Sequence, residues 1–193
     1  MALDDEFGGF SDLRLNIHAY GVAYDVDYVG INEQNSFDLS WRFGATWIAS
    51  LGLAPGRGGL LVGLGFNYSF MDAELNNNAQ VDLQSWSAQG YFGWGWPIGD
   101  NFQVEVLPMV GFGRVYLDID NTALGLSDMV GQDKLVEGGI MANAIWTLRN
   151  SMQVGLTFGY LLTDTSVVDE SAGVRFDWNT ANPTIAFIFG SRL

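Results

Sequence analysis

Along most of this chain every second residue is apolar. In residues 37–47, FDLSWRFGATW, Phe37, Leu39, Trp41, Phe43, Ala45 and Trp47 alternate with Asp38, Ser40, Arg42, Gly44 and Thr46. A strand sends successive side chains to opposite faces, so this period of two predicts a strand with one oily and one small polar face. The same period predicts strands through DLRLNIHAYGVAY, GLLVGLGFNYSFM and WSAQGYFGWGW, again through 136–148 and 153–163, and last through PTIAFIFGSRL. Between the fourth and sixth lies an irregular strand. Phe102, Val104, Val106, Val110 and Phe112 share one parity, but after GFGR the apolar residues become Val115 and Leu117. One inserted residue flips a strand's parity, which predicts a β-bulge between Gly111 and Arg114.

Short connections are predicted at LAPGRG, PIGDN and RNS, and long polar ones at 25–36, 72–81, 118–134 and 164–181. About eight strands joined alternately short and long predict an all-β, antiparallel, up-and-down barrel over residues 12–193, with 1–11 as a tail or plug.

The oily face decides the solvent. An eight-stranded barrel has an interior only just wide enough for its side chains, and it cannot hold most of 7 Trp and 13 Phe. The small polar face fits inside. Turned that way, the apolar runs meet the roughly 9–11 residues a strand needs to cross a bilayer, and closure satisfies every backbone group without water. Aromatic residues gather where the two interfaces would be: Trp47, Trp94, Trp96, Phe102 and Trp146 near the short turns, and Phe37, Phe66, Tyr68, Phe70, Trp86 and Tyr160 toward the long connections. Trp41, Trp47, Trp86, Trp94, Trp96 and Trp146 are the expected lipid-facing girdle. Short turns on the periplasmic side and long loops outside complete a transmembrane β-barrel pattern.

Composition agrees with that inversion. Charged residues make up 16% of the chain, Lys134 is its single lysine, and the formal net charge is -14. Such a balance argues against nucleic acid, whose phosphates need basic patches. The absence of Cys excludes disulfides, thiolate metal sites and Cys nucleophiles. No run of about 18 apolar residues predicts a transmembrane helix. MALDDEFGGF has neither the basic start nor the apolar core of a signal peptide, so the chain is expected to be a mature exported one with Met1 added.

With these features the chain resembles the small outer-membrane β-barrel proteins of Gram-negative bacteria, the class that includes the OmpA membrane domain, OmpX and the opacity proteins. The resemblance is architectural and spans the chain after residue 11. Its one local motif is the alternating last strand, here Ile185, Phe187 and Phe189, which departs from the family by closing on Leu193 instead of an aromatic residue. The resemblance implies outer-membrane location and contact with outer-membrane lipid and lipopolysaccharide.

The candidate chemistry is sparse. Arg14, Arg42, Glu105, Arg114 and Glu137 fall on expected lumen positions, where charges must pair. Arg114 is expected to reach Glu137, and Arg42 to find a carboxylate across the lumen. The network serves as a structural plug or lines a narrow ion path. Acidic residues cluster in the expected long loops: Asp25, Asp27 and Glu33, then Asp72 and Glu74, then Asp118, Asp120, Asp128 and Asp133, then Asp164, Asp169 and Glu170. DVDYVGINEQNS ends in Ser36 where a calcium loop needs Glu, so no metal site and no cofactor are expected. His18, the single histidine, is expected in the lumen, away from the rim where lipid-modifying barrels place theirs. The expected function is non-enzymatic: envelope integrity, adhesion or contact with an envelope or extracellular partner through the acidic loops. The alternatives are a narrow pore or a lipid-modifying enzyme.

Overall fold

The computed structural model describes residues 10–28, 31–54, 58–75, 79–121, 126–169 and 174–193. They form eight strands: β1 (Ser11–Tyr28), β2 (Ile31–Ala54), β3 (Gly58–Leu75), β4 (Ala79–Ile98), β5 (Phe102–Asn121), β6 (Leu126–Thr147), β7 (Met152–Asp169) and β8 (Val174–Arg192). Each pairs antiparallel with the next, and β8 closes on β1. The expected up-and-down barrel is therefore the fold, with both described chain ends at its short-turn end. The tail expected over residues 1–11 lies mostly outside the described residues. Phe10 is half-buried at the base, and its carbonyl accepts the Ser50 N–H at 2.9 Å.

Turn chemistry explains two of the short connections. Gly99 takes φ 69° between β4 and β5, a left-handed conformation that costs glycine nothing. Ser151 takes φ 65° between β7's start and the end of β6, held where Leu148 N–H donates to Met152 O at 2.7 Å and Ser151 N–H to Leu148 O at 3.1 Å.

At the other end the structure corrects the expected long loops. Strand pairing runs through most of each segment, up to Tyr28↔Ile31, Leu75↔Ala79, Asn121↔Leu126 and Asp169↔Val174. The strands reach 18 to 24 residues, about twice what a bilayer requires.

The extra length has its own core, because the outer face changes from apolar to polar at one level, while the inner face, which below it mixes charged and polar side chains with apolar ones such as Ile48, Leu107 and Met109, becomes apolar above it. On β5, Val110 and Phe112 point outward and are followed outward by Arg114 and Tyr116. Inward, Glu105 and Gln103 near the base give way to Val115 and Leu117. β3 passes outward from Phe70 to Asp72 and inward from Ser69 to Met71 and Ala73. Ascending β4, the outward face passes from Trp86 to Gln84 and Asp82, and the inward face from Ser85 to Leu83 and Val81. Tyr20, Val22 and Tyr24 of β1, Val167 of β7, and Phe176 and Trp178 of β8 complete an apolar core. Each fully buried side chain of this kind stabilises by about 1.5–3 kcal/mol, so the strands stay ordered beyond the lower barrel.

This inversion also removes the expected bulge. β5 pairs without interruption with β4 from Gly111↔Gln89 to Asp120↔Gln80, and with β6 from Phe102↔Trp146 to Ile119↔Met129. The side chains of β5 keep one parity throughout. What changes at Arg114 is the solvent on each side of the wall.

Above the polarity change the ring parts at two opposite seams. Ladder pairing between β2 and β3 stops at Trp41↔Phe70, and between β6 and β7 at Val136↔Asp164. Among the described residues the extension is thus two four-stranded sheets, β7-β8-β1-β2 and β3-β4-β5-β6, facing each other across the apolar core. Side chains cap the backbone where each seam begins. Leu39 N–H donates to Asp38 Oδ1 (2.9 Å) and Ser40 Oγ to Phe70 O (3.1 Å) at one seam. Lys134 N–H donates to Asp133 Oδ1 (2.6 Å) and Thr165 Oγ1 to Lys134 O (2.8 Å) at the other.

Candidate functional site: the lumen network and the outer wall

The lower lumen holds the charges that the alternation places there. Arg14 on β1 donates to both oxygens of Glu105 on β5, from Nη1 at 2.7 Å and Nη2 at 2.8 Å. β1 and β5 are opposite strands of the ring, so the pair spans a diameter. Nη2 also reaches Asp12 at 2.6 Å. Glu105 further accepts from Gln103 (2.7 Å) and Asn143 (3.0 Å), while Asp12 accepts from Gln153 (3.0 Å) and Arg192 (3.2 Å). The Arg192 guanidinium lies 4.0 Å over the Phe10 ring at the base.

A second layer lies toward the extension. Arg42 on β2 pairs with Glu137 on β6, again across a diameter, and donates from Nε to Ser69 Oγ at 2.9 Å. Glu137 also accepts from Ser87 and Gln89, each at 2.7 Å. The Tyr20 ring lies 5.2 Å from the Arg42 guanidinium carbon, leading into the apolar core above. Both carboxylates are fully buried and saturated with donors, the condition under which buried charges are tolerated.

Four of the five expected lumen charges, Arg14, Arg42, Glu105 and Glu137, therefore meet in two ion-pair layers, and Arg42 finds the cross-lumen carboxylate it requires. The fifth is a correction. Arg114 shares the outward parity of Phe112, points away from the lumen and pairs in register with Lys134, not Glu137. Asp12, Gln103, Asn143 and Gln153 belong to the network although sequence reasoning did not single them out. Their parity with Arg14, Glu105 and the polar faces of β6 and β7 was the available signal.

Between the layers is a cavity of about 30 Å³ lined by Arg14, Asn16, His18, Thr46, Tyr91 and Asn143, among others. A single water needs at least about 10–15 Å³, so the space suits a water or two and no hydrated ion. His18 lines this cavity in register with Arg42, and among the described residues no hydrogen bond joins it to a nucleophile or carboxylate. Among the described residues no three His, Asp or Glu side chains come together to hold a metal.

Trp41, Trp47, Trp94, Trp96 and Trp146 are exposed on the outer wall, and Trp86 is half-exposed there. Phe102 packs on Trp146 with centroids 4.6 Å apart, and Phe66 stacks on Trp86 at 6.2 Å. Leu15, Leu64, Phe92, Val110, Phe112, Phe158 and Phe187 fill the belt between, each more than half exposed. Trp178 is the exception among the tryptophans, fully buried in the extension core. An exposed apolar belt with aromatic borders around a polar lumen is the architecture of outer-membrane barrels, and this chain is a transmembrane β-barrel of that kind.

Above the belt the wall is acidic. Asp25, Asp72, Glu74, Asp82 and Asp164 are exposed on it, carried by paired strands rather than loops, while Asp133, exposed at the β6 edge of a seam, has the inward parity of Leu135 and Val115. Asp27, Glu33, Asp120, Asp128 and Asp169 also fall within strands, but their side chains lie outside the described set, as does the whole of Glu170. Asp177 pairs with Arg175 at 2.6 Å. Partial burial pushes its carboxyl up, and hydrogen bonds from Arg175 and Ser166 outweigh that and hold it below its ordinary value.

No family model matches the chain, and no curated protein matches its sequence. Among solved structures it is similar to Ail, the attachment invasion locus protein of Yersinia pestis, solved with the heparin analogue sucrose octasulfate. That likeness has 11% identity over 97% of this chain and 100% of the other, with a TM-score of 0.49. Neisserial surface protein A shares 12% identity over 93% and 97%, also at 0.49. The outer membrane protease OmpT of Escherichia coli shares 8% over 95% and 96%, at 0.33. The assignment to a transmembrane barrel rests on the belt and lumen described above.

Proposed function

We propose that this protein is a non-conducting, non-enzymatic component of the bacterial outer membrane that holds a rigid acidic extension outside the cell for contact with a partner surface. The observation that carries this is the polarity inversion. A chain that only spanned lipid would stop its strands near Phe112 and Val136. Here the strands continue, bury Leu83, Val115, Leu117 and Trp178 between two sheets, and present carboxylates outward on ordered backbone. Ordered charges lose less entropy on binding than mobile ones, which favours recognition. The two seams add strand edges to the same face, and edges are where extended partner segments dock.

Two cross-lumen ion-pair layers, with room for only a water or two between, favour a plug over a pore. The lumen position of His18 gives a lipid-modifying enzyme no supporting constellation.

The test has two arms. Purified protein in planar bilayers is expected to be silent, and reproducible step currents would support the pore instead. Cells displaying the wild type are expected to adhere to immobilised matrix protein more than cells displaying Asp72→Asn/Glu74→Gln/Asp82→Asn/Asp164→Asn at equal surface levels. Equal adhesion would overturn the contact role.

A further inference from the structure

The outer wall carries one feature that neither the plug nor the acidic extension uses. Arg114 on β5 and Lys134 on β6 are directly opposite each other in register, and both point outward. Like charges facing each other across neighbouring strands destabilise a sheet, so this pair calls for a ligand to offset it. Neither cation makes an ion pair within 4 Å among the described residues. Among the described residues Arg114 has one side-chain hydrogen bond, a long one to Gln132 Oε1 at 3.4 Å.

Their level supplies the ligand class. In register with Arg114 on its other side is Trp86, and directly below the two cations along their strands are Phe112 and Val136, both exposed to lipid. Arg114 and Lys134 are therefore the first outward residues above the hydrocarbon belt on β5 and β6. That is where lipid headgroups lie, and Trp86 marks the boundary. Elsewhere on this border the first polar outward positions are Asp72, Gln84 and Asp164, so positive charge is concentrated at one point of an acidic wall.

Below Lys134 the wall is indented. Val136, Gly138, Leu162 and Ala181 line an open hollow of about 490 Å³ at the β6–β7 seam, which Glu137 and Thr163 also line and Asp164 borders. A Cβ placed on Gly138 would meet nothing within 4 Å, so the glycine leaves open space on the lipid side. An acyl chain lying along β6 fits there while its headgroup reaches the cations.

We infer that Arg114 and Lys134 clamp a phosphate monoester on an acylated outer-leaflet glycolipid, one of whose chains lies in the Gly138 hollow. Arg114 offers the planar fork that binds phosphate oxygens in pairs, and Lys134 adds a point charge. Asp164 limits the site to the Lys134 side nearest β5, since a phosphate over β7 would face its carboxylate. The inference rests on the membrane-spanning reading of the belt but not on any extracellular contact.

The probe is bisphosphorylated lipid A, titrated onto the purified full chain in nanodiscs of zwitterionic lipid. Insertion is checked separately by heat-modifiable migration. Wild type is expected to bind it at least tenfold more tightly than Arg114→Gln/Lys134→Gln and than it binds lipid A stripped of its phosphates. Inorganic phosphate at millimolar concentration is expected not to compete, which separates a lipid site from a free-phosphate site. Gly138→Leu, which fills open space and leaves the barrel intact, is expected to weaken binding without abolishing the preference for phosphate. Equal affinity of the double variant and wild type, or full competition by inorganic phosphate, would overturn the assignment.

Discussion

Glu137→Gln is the most informative single substitution, because it separates two ion pairs that look alike in sequence. Glu137 is the one carboxylate that Arg42 reaches among the described residues, and the Arg42 side chain is 3% exposed. Neutralising Glu137 leaves a buried guanidinium without a counter-charge, a change that costs about 3–5 kcal/mol in other proteins. Glu105→Gln differs in one respect. Arg14 keeps Asp12 at 2.6 Å, and Asp12 is itself fully buried. The charge stays compensated, and the cost falls to that of weakened charge-assisted hydrogen bonds, about 1.5–3 kcal/mol. Urea unfolding in lipid vesicles, followed by tryptophan fluorescence and heat-modifiable migration, is expected to rank Glu137→Gln as the more destabilising. Adding Arg42→Met to Glu137→Gln removes the stranded charge and is expected to recover a large part of the loss. The reasoning fails if Glu105→Gln costs as much as Glu137→Gln, or if the double variant is no more stable than the single.

Three further outcomes follow from the same geometry. Val110→Arg places a charge in the lipid belt and is expected to reduce folding into vesicles by about 2–4 kcal/mol, whereas Tyr116→Arg, above the polarity change, is expected to fold normally; equal defects would contradict the assigned boundary. Val115→Asp is expected to loosen the extension while sparing the lower barrel, seen as faster protease cleavage above the membrane with heat-modifiability retained. Asp177→Asn is expected to change stability by less than about 1 kcal/mol, since its Arg175 partner is exposed. Because the Asp177 carboxyl is held low, its small contribution is present at neutral pH and disappears as pH falls through its lowered range, which an acid titration of wild type against Asp177→Asn reads.

Much of the lower barrel was legible because period two survives without knowledge of register. The outward parity of Leu39, Trp41 and Phe43 and the inward parity of Arg14, Arg42, Glu105 and Glu137 follow from counting. Partners do not, because pairing across a diameter depends on register accumulated through four strands. Arg42 could be seen to need a carboxylate, and only the fold identifies Glu137. The upper barrel was misread for one physical reason. Treating apolar residues as always facing one way turned the reversal at Val115 and Leu117 into a bulge, and the polar outward runs around Asp72 and Asp164 into loops. Arg114 was assigned to the lumen by the same step. Its even spacing from Phe112 was the available clue.

An inverted extension requires the wall of β5 to pass from lipid to water at Arg114 without a change of parity. The chain has no cysteine, so single cysteines at positions 104 through 118 can each carry a spin label in reconstituted vesicles, with exposure read by oxygen against a water-soluble nickel chelate. The expected profile is oxygen access at 104, 106, 110 and 112, nickel access at 114, 116 and 118, and protection from both at 115 and 117. A parity shift after 113, with labels at 115 and 117 meeting lipid, would restore the bulge and contradict the inverted extension.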